Sequence, residues 1–226
     1  MVCTFDVNEE TVNPEESLCL LPDWRLRKAL SYRFPIDRFL CAKSFLMLER
    51  MLHDKFGIDG CPEFSYWPDG KPYLKEYPGI FFNISHCRKG IACAVCDCPV
   101  GIDIEVIQPG VEIRDLVLNP EERAAVEMSQ EPEVEFTRLW TRKESILKLS
   151  GEGLRDDMRN VLSEAKGVRI DTVVNRGASY VLSVAMNENT GVMVHPCRGG
   201  GLRQSSCLCG GFFGAGRRRG LPSRRS

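Results

Sequence analysis

Residues 100–105, Val100-Gly101-Ile102-Asp103-Ile104-Glu105, combine the pattern of a β-strand with two acidic side chains. Alternate side chains of a strand share a face, so the three apolar residues point one way and Asp103 and Glu105 point the other. At about 3.3 Å rise per residue the two carboxylates lie roughly 6 to 7 Å apart along the backbone. Both can then reach one ion, and an oxygen-only site suits Mg²⁺. On this pair alone, a solvated strand face with two ordinary acids is the simpler interpretation.

A helix predicted over Glu135 to Ser150 carries the next polar pattern. Trp140, Glu144 and Lys148 are four residues apart and form one stripe, because each step of four drifts by only about 40°. Apolar residues fill the adjoining sector, so the stripe borders the buried face. Glu144 and Lys148 are either a surface ion pair or a metal ligand or base beside a phosphate-binding lysine.

Two further segments contain groups suited to an anion. Phe82-Asn83-Ile84-Ser85-His86 reads as a strand that enters a turn over Ser85 to Lys89. The hydroxyl of Ser85, the ring of His86 and the N–H groups of such a turn together make a phosphate receptor. Gly70-Lys71-Pro72 places a lysine between a permissive glycine and a rigid proline. Each segment is weak evidence by itself, since a lone histidine is more often structural.

The remaining periodicity predicts a mixed α+β protein. Residues 23–56 read as helical, with an interruption at Pro35 and a longer helix from about Ile36. Asn119 and Pro120 are typical of a helix start, which predicts a helix over Pro120 to Met128. The predicted strands are Ile80 to Ile84, Gly90 to Cys96, Val100 to Ile107, Val168 to Val174 and Tyr180 to Met186, with a short one around Phe64 to Trp67.

Composition and charge narrow the class of protein. No apolar run approaches the roughly 18 to 20 residues that cross a bilayer, and residues 1–8 do not read as a secretory signal. We therefore expect a cytoplasmic protein with no membrane partner. Residues 191–226 hold seven of the 30 basic residues and no acid, so residues 1–190 keep 23 basic against 31 acidic residues. We expect that tail to be disordered, and we expect no nucleic-acid partner because no aromatic residues alternate with its arginines.

The 11 cysteines are more than a cytosolic chain usually carries. Without an export signal and with an odd count, most are expected to be reduced thiols that act as small apolar residues. Cys93, Cys96 and Cys98 invite a zinc interpretation. A structural zinc site needs four ligands, and no matching second pair lies nearby in the sequence, so we favour core or edge-strand roles.

The order and spacing of the four polar segments resemble one family. The segments are Gly70-Lys71-Pro72, Phe82 to His86, Gly101 to Glu105, and Trp140 to Lys148 followed by Gly151-Glu152-Gly153-Leu154. Together they resemble the 4′-phosphopantetheinyl transferase superfamily, in its longer, monomeric, surfactin-synthetase-activating type. The resemblance runs from about Lys28 to Ala185.

The resemblance implies roles for individual residues. Asp103, Glu105 and Glu144 would hold Mg²⁺, and Glu144 would also act as the base on the acceptor serine. Lys148 would contact phosphate. The remaining implied residues are Lys71, Pro72, Ser85 and His86 in the coenzyme A pocket, Arg38 or Arg33 at the nucleotide phosphate, and Glu122, or else Glu121, beside the metal.

The resemblance also implies the architecture and the reaction. Two similar α/β halves would form a pseudo-twofold fold, with residues 1–100 on the coenzyme A side and residues 101–190 carrying the metal and the catalytic helix. The chain would move 4′-phosphopantetheine from coenzyme A to a serine of an apo acyl or peptidyl carrier protein and release 3′,5′-adenosine bisphosphate. The alternatives are a non-catalytic binder of coenzyme A or carrier protein and another Mg²⁺-dependent phosphoesterase.

Overall fold

The computed structural model describes residues 1–10, 12–60 and 62–188. The elements are, in chain order, β1 (Val2–Asp6), α1 (Pro14–Leu18), α2 (Asp23–Leu30), α3 (Pro35–Phe56), β2 (Phe64–Tyr66), β3 (Pro72–Leu74), β4 (Phe81–Cys87), β5 (Gly90–Cys96), β6 (Val100–Val106), a 3₁₀ helix (Val111–Ile113), α4 (Arg114–Val117), α5 (Pro120–Met128), α6 (Pro132–Ser150), α7 (Val161–Glu164), β7 (Val168–Asn175) and β8 (Tyr180–Asn187). The predicted α+β class is confirmed. The tail over residues 191–226 lies outside the described residues.

The first layer is a three-stranded antiparallel sheet in the order β1-β5-β4, covered by α3. α3 begins at Pro35. Proline is favoured at the first position of a helix, because the N–H group that it lacks would have no partner within the helix at that position. Its apolar side packs on the sheet in one buried cluster, whose members include Leu48, Leu52, Phe82 and Val95. The predicted interruption at Pro35 is thus a boundary between two helices, α2 and α3.

The second layer repeats this plan with a sheet in the order β6-β8-β7 and the helix α6. α6 begins at Pro132, one turn before the predicted start at Glu135, and it ends where Gly151 takes a left-handed conformation (φ 84°). Ile146 and Leu147 of α6 pack in a buried cluster with Ala185 of β8. In the pairing of β6 with β8, Asp103 lies opposite Ser183. The polar face of β6 therefore continues onto β8, the central strand of the sheet.

Side chains of β4 join the two layers, because β4 runs beside β6 without a backbone ladder. The amide N–H of Ile102 donates to Asn83 Oδ1 (2.8 Å) and that of Ile104 donates to Ser85 Oγ (3.4 Å). The buried cluster between the layers combines residues of β5, β6 and β8, among them Ala92, Ile102 and Leu182. The edge of β6 is therefore closed by hydrogen bonds instead of being exposed to pairing with another chain.

Two sequence predictions change at β4. The strand continues to Cys87 and the turn consists of Arg88 and Lys89, so the predicted turn over Ser85 to Lys89 is wrong. The polar residues at its end remain paired because β5 supplies a partner for each, with Ser85 opposite Ala92 and His86 opposite Ile91. The sequence pattern also missed β1, β3 and α1. Among the described residues, no helix has the length and hydrophobicity to span a bilayer.

Candidate functional site

The polar face of β6 is directed at α6 because Gly101 lets the helix lie against the strand. A Cβ at Gly101 would lie 2.0 Å from the carbonyl oxygen of Ser145 and 2.4 Å from the amide nitrogen of Leu149. Side chains two and four residues later share the face of Gly101. Asp103 and Glu105 therefore enter the space beside α6, where Glu144 and Lys148 lie one helical turn apart.

Asp103 is the centre of this site. It is only 2% exposed, and its Oδ1 accepts from Lys148 Nζ (2.6 Å) and from Ser85 Oγ (2.9 Å). Lys148 also donates to Ser85 Oγ (2.9 Å), so the three side chains form a closed triangle. The second oxygen, Oδ2, is buried and has no hydrogen-bond partner among the residues that the structure describes. A buried carboxylate oxygen without a partner costs free energy, so this atom is available to a ligand.

Glu105 and Glu144 are electrostatically linked to Asp103. Burial, followed by the charge of Asp103, raises the pKa of Glu105 to about 7. The same two causes, in the same order, raise the pKa of Glu144 to about 7, and the Lys148 ammonium opposes both shifts. Three carboxyl groups thus share one positive side chain. The structure brings together Asp103, Glu105, Glu144 and Lys148, as the sequence predicts.

Ser85 and His86 are separated by the alternation of β4. Ser85 is buried between the strand and α6, whereas His86 is exposed on the opposite face. Part of the His86 residue stays exposed, but burial of the rest lowers its pKa, and the Lys148 charge adds to the effect. The predicted receptor formed by turn N–H groups is wrong, because both residues belong to a paired strand.

Lys71 reaches the site from the N-terminal half. Its Nζ donates to the main-chain oxygens of Lys148 (2.6 Å) and Leu149 (3.0 Å), which lie at the end of α6. Burial lowers the pKa of Lys71, and Asp69 opposes this shift. Gly151 permits the approach, since a Cβ there would lie 2.5 Å from Asp69 Oδ2. The ammonium is thus bonded to the helix terminus, and Pro72 follows it as the first residue of β3.

Glu122 and Arg38 have other partners. Glu122 Oε2 accepts from Lys143 Nζ (2.6 Å) and from the amide of Asn119 (3.0 Å), completing the capping box of α5. It is not among the charged groups that shift the pKa of Glu105 or Glu144. Arg38 Nε donates to the main-chain oxygen of Tyr32 (2.9 Å), beyond the end of α2. The structure thus gives Glu122 an ion pair and a role in the helix cap, and its position beside the metal stays a prediction.

Sequence reasoning missed two groups that support the site. Ser183 lies opposite Asp103 in the sheet and is joined to Thr141 of α6 (2.8 Å) and Thr172 of β7 (2.9 Å) by hydroxyl contacts. Lys143, fully buried beside Glu144 in sequence, donates to the main-chain oxygens of Val117, Met158 and Arg159 as well as to Glu122. Two features of the sequence could have indicated these groups: Ser183 interrupts the apolar run of β8, and Lys143 directly precedes Glu144 of the predicted stripe.

The donor set fits a hard divalent cation. All candidate ligands are carboxylate oxygens, one of them a buried oxygen that has no hydrogen-bond partner within the described part of the chain, and Mg²⁺ prefers oxygen ligands. A soft metal would call for thiolate or imidazole ligands, and burial raises the pKa of Cys87, whose thiol is electrostatically linked to Asp103 and Glu105, to about 11, which disfavours its thiolate form.

Comparison with known proteins gives the same family as the motifs. Residues 99–184 match the family model described as the 4′-phosphopantetheinyl transferase superfamily. The chain is 40% identical over 89 residues to a 4′-phosphopantetheinyl transferase of Bacillus subtilis, covering 38% of this chain and 39% of the relative. It is 31% identical over 135 residues to the 4′-phosphopantetheinyl transferase psf-1 of Bacillus pumilus, covering 54% of each.

A third relative is the 4′-phosphopantetheinyl transferase Sfp of Bacillus subtilis strain 168, which is 36% identical over 94 residues, or 40% of this chain and 42% of the relative. The chain thus matches about half or less of the length of these curated relatives. The matched segment contains β6, α5 and α6 with Asp103, Glu105, Glu144 and Lys148. The predicted resemblance to the superfamily is confirmed over residues 99–184, which match its family model.

Proposed function

We propose that this chain transfers 4′-phosphopantetheine from coenzyme A to a serine of an apo acyl or peptidyl carrier protein and releases 3′,5′-adenosine bisphosphate. The observation that carries the proposal is Oδ2 of Asp103, a buried oxygen with no hydrogen-bond partner in the described part of the chain; its carboxylate binds Lys148 and is electrostatically linked to Glu105 and Glu144. This cluster lies within the segment that matches the superfamily.

Asp103, Glu105 and Glu144 would hold a Mg²⁺ ion, which supplies positive charge that neutralises the three acids and the diphosphate of coenzyme A. Burial, and after it the charge of Asp103, raises the pKa values of Glu105 and Glu144, so a bound cation would favour the charged forms of both acids. Three buried or half-buried acids that are electrostatically linked are therefore better explained by a ligand than by stability alone.

The side chains have distinct roles in the transfer. Lys148, 30% exposed, would turn its remaining N–H toward a phosphate oxygen while Ser85 and Asp103 hold it in place. Glu144, directly or through water, would accept the proton of the carrier serine. The serine oxygen forms a bond to the β-phosphorus of coenzyme A, the phosphoanhydride bond breaks, and the bisphosphate leaves with the electron pair. Positioning and charge neutralisation supply most of the acceleration in phosphoryl transfer.

Coenzyme A would lie along the boundary between the halves, residues 1–100 and 101–190. The side chain of Lys71 borders the end of α6, Pro72 follows it in the chain, and His86 has a partly exposed side chain within range of the Lys148 charge. Ser85 would act through Lys148 and Asp103, since its hydroxyl is bonded to both. Arg38 would contact the nucleotide through its terminal nitrogens, because Nε is bonded to Tyr32. We further propose that the protein acts as a monomer in the cytoplasm.

Intact-mass measurement of an apo carrier protein tests the proposal. The full chain is mixed with coenzyme A, Mg²⁺ and the carrier, and the carrier is expected to gain one phosphopantetheine group. Glu144→Gln is expected to reduce the rate by 100-fold or more, in the range for loss of a general base. Glu127→Gln, at an exposed acid on α5, is the matched control and is expected to keep the wild-type rate.

Two outcomes would contradict the assignment. Hydrolysis of phosphate esters without any acceptor would indicate a Mg²⁺-dependent phosphoesterase. Binding of coenzyme A with an unchanged carrier mass, across several carrier types and with Mg²⁺ present, would indicate a non-catalytic binder.

A further inference from the structure

Two cysteines lie at the junction between β5 and β6, separated by Asp97. The sequence grouped them with Cys93, but the structure separates that residue. Cys93 is completely buried in the cluster under α3, whereas Cys96 belongs to the cluster between the two sheets, with Cys98 packed against it. An odd spacing along a strand places Cys93 and Cys96 on opposite faces. The relevant group is therefore Cys96, Asp97 and Cys98.

The two thiols are in contact. Cys96 Sγ lies 2.8 Å from Cys98 Sγ and 3.4 Å from Asp97 Oδ1. A covalent bond between sulfur atoms is about 2.05 Å long, so less than about 1 Å of movement separates this arrangement from a bond. Cys96 is buried and Cys98 is half-buried, so a reagent from solvent meets Cys98 first.

We propose that Cys96 and Cys98 are a reversible redox site, which small-molecule disulfides such as oxidised glutathione convert to an intramolecular disulfide. The thiolate of Cys98 attacks one sulfur of glutathione disulfide, forming a mixed disulfide and expelling one glutathione thiolate. The thiolate of Cys96 then attacks the Cys98 sulfur and expels the second glutathione. The two protein thiols lose two protons and two electrons, and the small disulfide is reduced to two thiols, so the exchange balances.

The location shows what such a bond would do. It would close a ring of three residues, which restricts the unfolded chain far less than a long loop does. The disulfide between Cys96 and Cys98 would therefore add little stability, and its role would be the reversible reaction itself. The ring lies in the linker that leads into β6, five residues before Asp103, so the redox state acts on the segment that connects the two sheets.

Peptide mass mapping after equilibration with oxidised glutathione tests the proposal. Trypsin releases residues 90–114 as one peptide that contains all three cysteines of this region. We expect this peptide to lose two hydrogen atoms in most molecules of the full chain, to regain them with excess reduced glutathione, and to show the link between Cys96 and Cys98 on fragmentation. Oxidised and reduced proteins are expected to share the same far-ultraviolet circular dichroism.

Single variants test the order of attack. Cys96→Ser is expected to accumulate one glutathione on Cys98, because no second thiol completes the exchange. In Cys98→Ser, glutathione modification of Cys96 is expected to be at least tenfold lower than that of Cys98 in Cys96→Ser, because Cys96 is buried. Cys19→Ser, an exposed cysteine on a different tryptic peptide, is the control and is expected to leave peptide 90–114 oxidising as in the wild type.

Three results would overturn the proposal. One is a peptide that keeps both thiols in oxidised glutathione without reductant. Another is equal glutathione modification of the Cys96→Ser and Cys98→Ser variants. The third is retention of one zinc ion by the native protein, lost in both variants, together with resistance to oxidation, since that would make Cys96, Asp97 and Cys98 a metal site instead.

Discussion

The ammonium of Lys71 lies 2.6 Å from the main-chain oxygen of Lys148, a residue 77 positions later in the chain. The last carbonyl groups of a helix have no partner within the helix, and a cation there also interacts favourably with the helix dipole. Lys71 therefore holds the end of α6 while the side chain of Lys148 points to Asp103. One lysine positions the other, which gives a structural role to a residue first identified as a ligand contact.

Lys71→Met is expected to lower the free energy of unfolding by about 1–2 kcal/mol, since it removes a half-buried charged donor from two carbonyl oxygens. For a domain of this size that corresponds to a loss of about 2–8 °C in melting temperature. Lys75→Met, at an exposed lysine after β3, is the matched control and is expected to change stability by less than about 0.5 kcal/mol. Equal melting temperatures for the two variants would contradict the capping role.

The pKa values of Glu105 and Glu144 predict how stability depends on pH when no divalent cation is present. Each is raised to about 7 from an ordinary value of 4.5. Between these values the folded protein binds more protons than the unfolded chain, so stability is greatest below about pH 4.5 for these groups and falls as pH rises towards 7. Chemical denaturation in a chelator, followed across this range, measures the effect.

Glu105→Gln is expected to remove part of this loss. At pH 8 in a chelator it should be more stable than the wild type by about 1–2 kcal/mol, and near pH 4.5 the difference should vanish. Addition of Mg²⁺ should then stabilise the wild type more than the variant, because the variant lacks one carboxylate ligand. If the variant were less stable than the wild type at pH 8 without metal, the charged form of Glu105 would be stabilised by its contacts in the folded protein. Burial and the charge of Asp103 would then not destabilise it.

Glu122→Gln distinguishes between two roles of Glu122, as a partner of Lys143 that stabilises the fold and as a ligand of the metal. The ion pair with the fully buried Lys143 weakens, so the free energy of unfolding is expected to fall by about 1–3 kcal/mol, while the capping of Asn119 survives because the amide oxygen still accepts. The Mg²⁺ concentration that produces half of the maximal stabilisation should stay the same as in the wild type, with Glu127→Gln, at an exposed acid on α5, as the matched control. A clear rise in that concentration for Glu122→Gln alone would return Glu122 to the metal environment.

The features that the sequence predicted are those set by nearby residues. α5 follows from Asn119, Pro120 and Glu122, which lie within four positions, and the face shared by Asp103 and Glu105 follows from strand alternation. The stripe formed by Glu144 and Lys148 follows from the helical repeat in the same way. Local rules thus account for the three electrostatically linked acids Asp103, Glu105 and Glu144.

The features that the sequence could not predict depend on distant partners. A polar end of β4 resembles a turn until β5 is known to pair with Ser85 and His86. Long side chains have many conformations, so only the folded structure shows that Lys71 bonds the end of α6 and that Glu122 bonds Lys143. Sequence reasoning therefore found these polar residues but not the contacts that the structure gives to Lys71 and Glu122.

Gly101→Ala tests the close contact that aims the polar face of β6 at α6. The new Cβ would lie 2.0 Å from the oxygen of Ser145 and 2.4 Å from the nitrogen of Leu149, and both are backbone atoms that cannot rotate away. The strand or the helix must move, which costs about 3 kcal/mol or more in unfolding free energy. Movement of α6 also separates Lys148 from Asp103, so the stabilisation by Mg²⁺ should fall as well.

Gly79→Ala is the control for this substitution, because a Cβ at Gly79 meets no atom within 4 Å. It is expected to change unfolding free energy by less than about 1 kcal/mol, with an increase possible because alanine restricts the unfolded chain. Urea denaturation of both variants, with and without Mg²⁺, measures the two effects separately. If Gly101→Ala unfolded at the same urea concentration as Gly79→Ala and kept its response to Mg²⁺, the helix would not rest on the strand at Gly101, and the convergence of Asp103 with Lys148 would need another cause.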